Sequence, residues 1–164
     1  MAEPFNAMTL PAAKAERYRV IQAEILAVLA GEPDRIARMA TVAAMLAQSF
    51  EQYFWTGFYL VDAGKPDELV VGPYQGTLGC LRIAFGRGVC GTAAARAETQ
   101  VVRDVHAFPG HIACDSRSAS EIVVPVFDAE GRLIALLDVD SERPAAFDAV
   151  DAEALEGLVR AVFA

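Results

Sequence analysis

The sequence predicts an α+β domain: one central antiparallel sheet of about six strands, with helices flanking it at the two ends of the chain. Three observations predict it. Apolar residues recur at helical spacing over residues 11–52 and again over 148–164. Between these segments, short β-favouring runs alternate with turn residues. Two of the runs, "EIVVPVF" and "RLIALLDVD", are joined by "DAEG", which reads as a hairpin and so as antiparallel pairing. Helices at the ends and strands in the middle give a helix-on-sheet architecture.

Each element has its own justification. Residues 1–10 read as an N-terminal extension. Residues 11–30 form an amphipathic helix, with Pro11 in a first turn, Tyr18, Ile21, Ile25 and Leu29 on one face, and Gly31 at the stop. A second helix runs from 35 to about 52, with Asp34 as N-cap and Ile36, Met39, Ala43, Leu46 and Phe50 inward. Residues 53–147 hold the sheet and its loops. "YFWTGFYLV", "ELVVGPYQG" and "CLRIAF" are strands, "GVCGTAAARAE" is a glycine-led short helix, and "TQVVRDV" is a brief strand. The segment 106–119 shows no periodicity. Residues 148–164 close the chain as a helix, with Leu155, Leu158, Val159 and Val162 on one face. Either the terminal helices cover one face of the sheet together or one of them serves a dimer; a homodimer is the expected assembly.

Length and composition bound the rest. The chain of 164 residues is 54% hydrophobic, which suits a single domain over 1–164 and excludes disorder. There is no internal repeat, low-complexity segment or linker. A formal charge of −8 with no Lys/Arg-rich run argues against nucleic acid and anionic membrane as partners. No signal-peptide pattern opens the chain and no apolar run is long enough to cross a bilayer, so a cytoplasmic location is expected. In a reducing compartment the three cysteines are more often catalytic, metal-binding or inert than structural disulfides.

Cys80 opens a strand, Cys90 begins the short helix and Cys114 lies in the aperiodic loop. A lone cysteine is usually a small buried apolar residue. Two details point elsewhere. A helix N-terminus stabilises a thiolate, which favours Cys90. A long aperiodic loop inside a small domain is usually functional, which favours Cys114. Zinc is the rival reading, through His106, His111 and Cys114, but the CxxC pairs that structural sites favour are absent from the sequence, and no metal is expected. A nucleophile and a resolving thiol fit better. A Ser/His/Asp hydrolase is weak because there is no nucleophile elbow.

Counting outward from "DAEG" as a four-residue loop pairs Phe127 with Arg132 and sets Glu121 opposite Asp138. Side chains alternate along a strand, so Asp138 and Asp140 point the same way, together with Ile134 and Leu136. Glu121, Asp138 and Asp140 then cluster at the rim of an apolar strip, where like charges need a cation, a shared proton or full solvation. Pro125, which lacks an N–H, is where a bulge would shift this register. Trp55 and Tyr59 are four apart on a strand and share a face with Gly57, so they are either core or the wall of a slot.

The segments "YFWTGFYL", "GPYQG", "CLRIAFGRGVCGTAAA", "ETQVVRDVHAFPGHIACDSRSASEIVVPV" and "LLDVDS" resemble the free methionine-(R)-sulfoxide reductases, which are single GAF-domain enzymes. The resemblance runs from about residue 53 into the final helix and keeps the spacing of all three cysteines. It implies a GAF-like fold, with free methionine-(R)-sulfoxide as substrate and thioredoxin as reductant. It implies Cys114 as nucleophile and Cys80 as the usual resolver, with a less defined role for Cys90. Glu121, Asp138 and Asp140 would bind and polarise the substrate. No bound cofactor is implied. The chemistry suits these parts: a carboxylic acid kept protonated among like charges can protonate the sulfoxide oxygen, and a second carboxylate can hold the substrate ammonium. Trp55 and Tyr59 would flank the S-methyl group, and a mobile 106–119 loop would enclose a free amino acid. The alternative is a non-catalytic GAF domain that senses a small ligand or oxidation.

Overall fold

The computed structural model describes residues 5–112 and 114–164. The first four residues of the expected extension, and residue 113 of the long loop, lie outside the described residues. After a 3-10 turn at Ala7–Thr9 come α1 (Lys14–Val28) and α2 (Arg35–Ser49). The strands and the remaining helices follow as β1 (Trp55–Asp62), β2 (Lys65–Gln75), β3 (Arg82–Ala84), α3 (Gly88–Arg96), β4 (Gln100–Val102), β5 (Ser120–Phe127), β6 (Leu133–Ser141) and α4 (Ala149–Phe163). The sheet order is β3-β2-β1-β6-β5-β4, and every neighbouring pair is antiparallel. Both edge strands are only three residues long, which limits the unpaired backbone they offer.

Local sequence explains most of these elements. Asp34 caps α2 by accepting from Ala37 N at 2.8 Å, and Gly31 takes the left-handed φ of 80° that ends the first helical hairpin turn. Tyr18, Ile21, Ile25 and Leu29 are buried, as are Met39, Ala43, Leu46 and Phe50. Ile36 is not inward: it is 50% exposed. The buried stripe of α2 instead runs through Met39, Val42, Ala43, Met45 and Leu46, and the first-turn isoleucine falls off its edge. At the far end, Asp148 and Asp151 form a capping box at the start of α4. Leu155, Leu158, Val159 and Val162 of that helix are buried.

The two faces of the sheet differ. The helices α1, α2 and α4 all cover one face, packing on Phe58, Ile122, Val124, Leu137 and Val139. The terminal helices therefore share a face. A buried network ties them together: Tyr18 donates to Asp151 Oδ1 at 2.6 Å, its hydroxyl meets that of Tyr53, and Lys14 Nζ reaches Asp151 Oδ2 at 2.7 Å. The other face carries α3 over Trp55, Tyr59, Leu69, Ile83, Val123 and Leu136. It is incompletely filled, and the site lies there.

The hairpin register departs from the sequence count. Glu121 pairs with Asp140, and Asp138 pairs with Val123 rather than with Glu121. Two one-residue adjustments produce this. The loop closes with Asp128 N donating to Arg132 O at 3.0 Å, so Phe127 pairs with Leu133, and a bulge then places Val126 against Ala135. Because the two slips sum to an even number, the three carboxylates keep one face. Ile134, inside the bulge, turns to the helix-covered face instead of sharing theirs. Pro125 itself pairs normally with Leu136, beyond the last β4 partner Val123, where no neighbouring strand needs its missing N–H.

Candidate active site

A cavity of about 50 Å³ opens on the face that carries α3. Four parts of the chain build it. From β1, Trp55 and Tyr59 form one wall, with ring centroids 5.7 Å apart. Trp55 also stacks on Tyr74 at 5.0 Å and is fixed by its Nε1–H donating to Thr77 O at 2.9 Å. Gly57 lies between the two wall residues and across from Asp138. A Cβ there would lie 2.2 Å from Tyr74 Cβ and 2.9 Å from Trp55 Cη2, so only glycine lets these rings close over the strand. Gly79 does the same in the β2–β3 connection, where a Cβ would meet Trp55 Cζ2 at 2.9 Å. Sequence reading missed Gly79; a glycine beside a cysteine in a turn carries little signal alone.

The strands β5 and β6 supply Glu121, Asp138 and Asp140. The first two are 6% and 5% exposed, and Asp140 is half-buried. Their surroundings raise all three above ordinary carboxyl values. Burial is the main cause for each. Asp138 and Asp140 beside it push Glu121 further up, and Asp138 does the same to Asp140. Asp138 is raised to about 6, held back by hydrogen bonding with Glu121 and Cys90. Asp140 accepts from Ser118 Oγ at 2.7 Å. Asp138 Oδ1 is buried with no hydrogen-bond partner, unlike the fully paired Asp151 on the other face. A buried carboxylate oxygen left bare costs free energy until a donor or cation reaches it.

The cysteines divide by environment. Cys80 lies in the turn before β3 rather than in the strand, and Cys114 in the loop before β5. Cys80 and Cys114 form a disulfide with a Cα–Cα distance of 5.5 Å. Cys80 is half-buried, Cys114 exposed, and Cys114 lines the cavity. The zinc reading through Cys114, His106 and His111 loses its sulfur ligand to this bond. Cys90 is the free cysteine, 5% exposed, with Sγ 3.8 Å from Glu121 Oε1. The helix N-terminus does not make it a ready thiolate. Burial first, then Asp138, Glu121 and Asp140, push its thiol well up. Three carboxylates outweigh the half-charge of a nine-residue helix.

The loop is pinned by residues to which the sequence assigned no role. Asp115 accepts from Thr77 Oγ1 at 2.9 Å and from Arg117 Nη2 at 2.9 Å, and Arg117 lies over the Phe54 ring at 4.6 Å. The Arg117 guanidinium holds the Asp115 carboxyl well below the usual range. The signal available was the Asp-x-Arg spacing inside "CDSRSAS". Together these parts offer a cysteine pair that can bond, a pocket lined by acidic groups, and carboxyls raised above their ordinary values by burial and by one another.

The GAF domain family profile matches residues 34–162. The free methionine-R-sulfoxide reductase of Escherichia coli is 43% identical over 146 residues, covering 89% of this chain and 86% of that one. The structure of the free methionine-R-sulfoxide reductase from Neisseria meningitidis in complex with its substrate is 50% identical. It covers 98% of this chain and 92% of that one, with a TM-score of 0.89. The reduced form of the Staphylococcus aureus fRMsr is 41% identical and covers 89% and 92% of the two chains, with a TM-score of 0.84. Among the described residues, no helix is long and apolar enough to cross a membrane.

Proposed function

The chain belongs to the free methionine-(R)-sulfoxide reductases, a family of GAF-domain enzymes, and on that premise we propose how its own residues carry out the reaction. The reaction is reduction of free methionine sulfoxide to methionine by an oxidoreductase acting on sulfur. The observation that carries the residue assignment is the Cys80–Cys114 disulfide beside a cavity holding three carboxyls and an unpartnered Asp138 oxygen.

Cys114 is the nucleophile. Its thiolate bonds to the sulfoxide sulfur while Glu121 gives a proton to the sulfoxide oxygen. That oxygen ends on Cys114 as a sulfenic acid, and methionine leaves with its sulfur reduced by two electrons. The Cys80 thiol then bonds to Cys114 and the oxygen departs as water. Glu121 suits the donor role because burial, Asp138 and Asp140 keep it protonated. Asp138, nearer to ionisation, takes the substrate ammonium on its bare Oδ1. Trp55 and Tyr59 flank the S-methyl group. Exposed Cys114 is open to a protein reductant, which supports recycling by thioredoxin and is in keeping with a cytoplasmic enzyme. Leu26, Val28 and Ile36 expose apolar side chains on α1 and α2, which supports a homodimer. No bound cofactor is required.

Thioredoxin-coupled NADPH consumption tests the reading. Free methionine-(R)-sulfoxide should drive it, and the S epimer and an N-acylated substrate should not. Equal rates with both epimers would count against the enclosed carboxyl site. A GAF sensor predicts binding with no consumption. Cys80→Ser should leave one methionine formed per chain in a single turnover but slow steady-state recycling by at least about tenfold, since a mixed or resolving thiol is then missing. Unchanged recycling in that variant would shift the resolving role away from Cys80.

A further inference from the structure

Cys90, Glu121 and Asp138 each present one ligand atom, and the three atoms lie within 4.8 Å of one another. Cys90 comes from α3, and Glu121 and Asp138 from the neighbouring strands β5 and β6, so helix and sheet meet at the cluster. All three are more than nine-tenths buried, at 5%, 6% and 5% exposure. Asp138 Oδ1 is buried with no hydrogen-bond partner, and Cys90, Glu121 and Asp138 all line the cavity, so the donor set borders that space and holds one bare oxygen.

We propose that Cys90, Glu121 and Asp138 form a binding site for one divalent cation of the zinc class, and that this cation and the substrate ammonium exclude each other. The donor set selects the metal. A thiolate with two carboxylates suits borderline-soft Zn²⁺ and disfavours Mg²⁺ or Ca²⁺, which take oxygen ligands. The geometry agrees. Zinc–sulfur and zinc–oxygen bonds of about 2.3 and 2.1 Å at a tetrahedral angle put sulfur and oxygen about 3.6 Å apart. Cys90 Sγ and Glu121 Oε1 are 3.8 Å apart. The fourth tetrahedral position would go to a water from the adjoining cavity. One thiolate and two carboxylates also supply the negative charge that a doubly charged ion needs, and binding displaces their protons.

Mutual exclusion follows from the Asp138 carboxylate: a divalent ion held on it would repel the substrate ammonium bound to the same group at close range. This part rests on the proposed function; the metal site does not. The ion is an inhibitor rather than a cofactor, because it takes the place of the substrate's own positive group.

The test uses the full chain in its oxidised form. There Cys80 and Cys114 are bonded to each other and Cys90 is the free thiol. Cobalt(II) replaces zinc as the probe. The protein should bind one equivalent with a thiolate-to-cobalt charge-transfer band and a tetrahedral visible spectrum, both removed by added zinc. Cys90→Ser should lose the band. Glu121→Gln, which keeps the thiol, should weaken cobalt binding by at least about tenfold, as loss of a metal-site ligand does. Methionine sulfoxide, which the oxidised protein cannot turn over, should displace the cobalt.

Absence of the band in the folded wild type, its persistence in Cys90→Ser, or unchanged affinity in folded Glu121→Gln would each overturn the site. Melting temperatures confirm folding of the variants. A band that survives saturating methionine sulfoxide overturns the exclusion. Metal binding with the predicted spectrum in a protein that shows no reductase activity would separate the site from the proposed function, since the two would then stand and fall independently.

Discussion

Cys114→Ser is expected to remove methionine formation in a single turnover, lowering the rate by at least about three orders of magnitude, as loss of a nucleophile does. The measurement is methionine formed by the pre-reduced protein without added reductant. The physical case rests on access and charge. Cys114 is exposed, lines the cavity and lies on a loop held in place by the Asp115, Arg117 and Thr77 contacts. Cys90 cannot replace it: its thiol is buried and held protonated by burial and by three carboxyls. A serine hydroxyl at position 114 is far less nucleophilic and cannot form the sulfenic acid. Retained methionine formation in Cys114→Ser, with loss in Cys90→Ser, would reverse these roles.

Glu121→Gln should lower turnover by roughly 10²–10⁴, the range for a lost general acid, and Asp138→Asn, which loses the charged contact to the substrate ammonium, by at least about tenfold. The same variants should leave the ligand-free protein as stable as wild type or more so. The reason lies in the proton balance. An unfolded Asp138 releases its proton near 3.8, and the folded one holds it to about 6. Between these values the folded state binds more protons, so stability falls as pH rises. Below the lower value the penalty is absent, and above the upper value it is complete. Asp138→Asn should flatten that slope, leaving the contributions of the raised Glu121 and Asp140 carboxyls. Melting temperatures between pH 4 and 7, with and without the substitution, read it directly. Parallel curves for the two proteins would mean that the carboxyl is not strained in the apo state. A large loss of stability in either variant would make these groups structural acceptors, and wild-type turnover would take them out of the site.

The helices and strands were legible in the sequence because their signals are local. The stripe Tyr18, Ile21, Ile25 and Leu29, the Asp34 cap and the Asp148 capping box depend only on neighbours within a few residues. The common face of Glu121, Asp138 and Asp140 was legible for a similar reason. Strand alternation has period two, and the two slips in the hairpin left the parity intact. Their pairing was not legible, because one extra loop residue and a bulge between Val126 and Phe127 set it. A count from the turn sees neither. Nor did the sequence reveal the state of Cys90. Its helix position argues for a thiolate, while the packing of α3 on β5 and β6 surrounds it with carboxyls and removes water. The clamp of Asp115, Arg117 and Thr77 joins positions 38 residues apart in the case of Thr77 and Asp115, and the bare oxygen of Asp138 is a property of everything around it. The sequence by itself determined the elements, most of their inward faces and the set of reactive side chains, since periodicity and residue type act at short range. Only the tertiary structure decided which carboxyl lies opposite which, which thiols meet, and which groups hold their protons, because register, burial and Coulomb interactions all depend on residues distant in the chain.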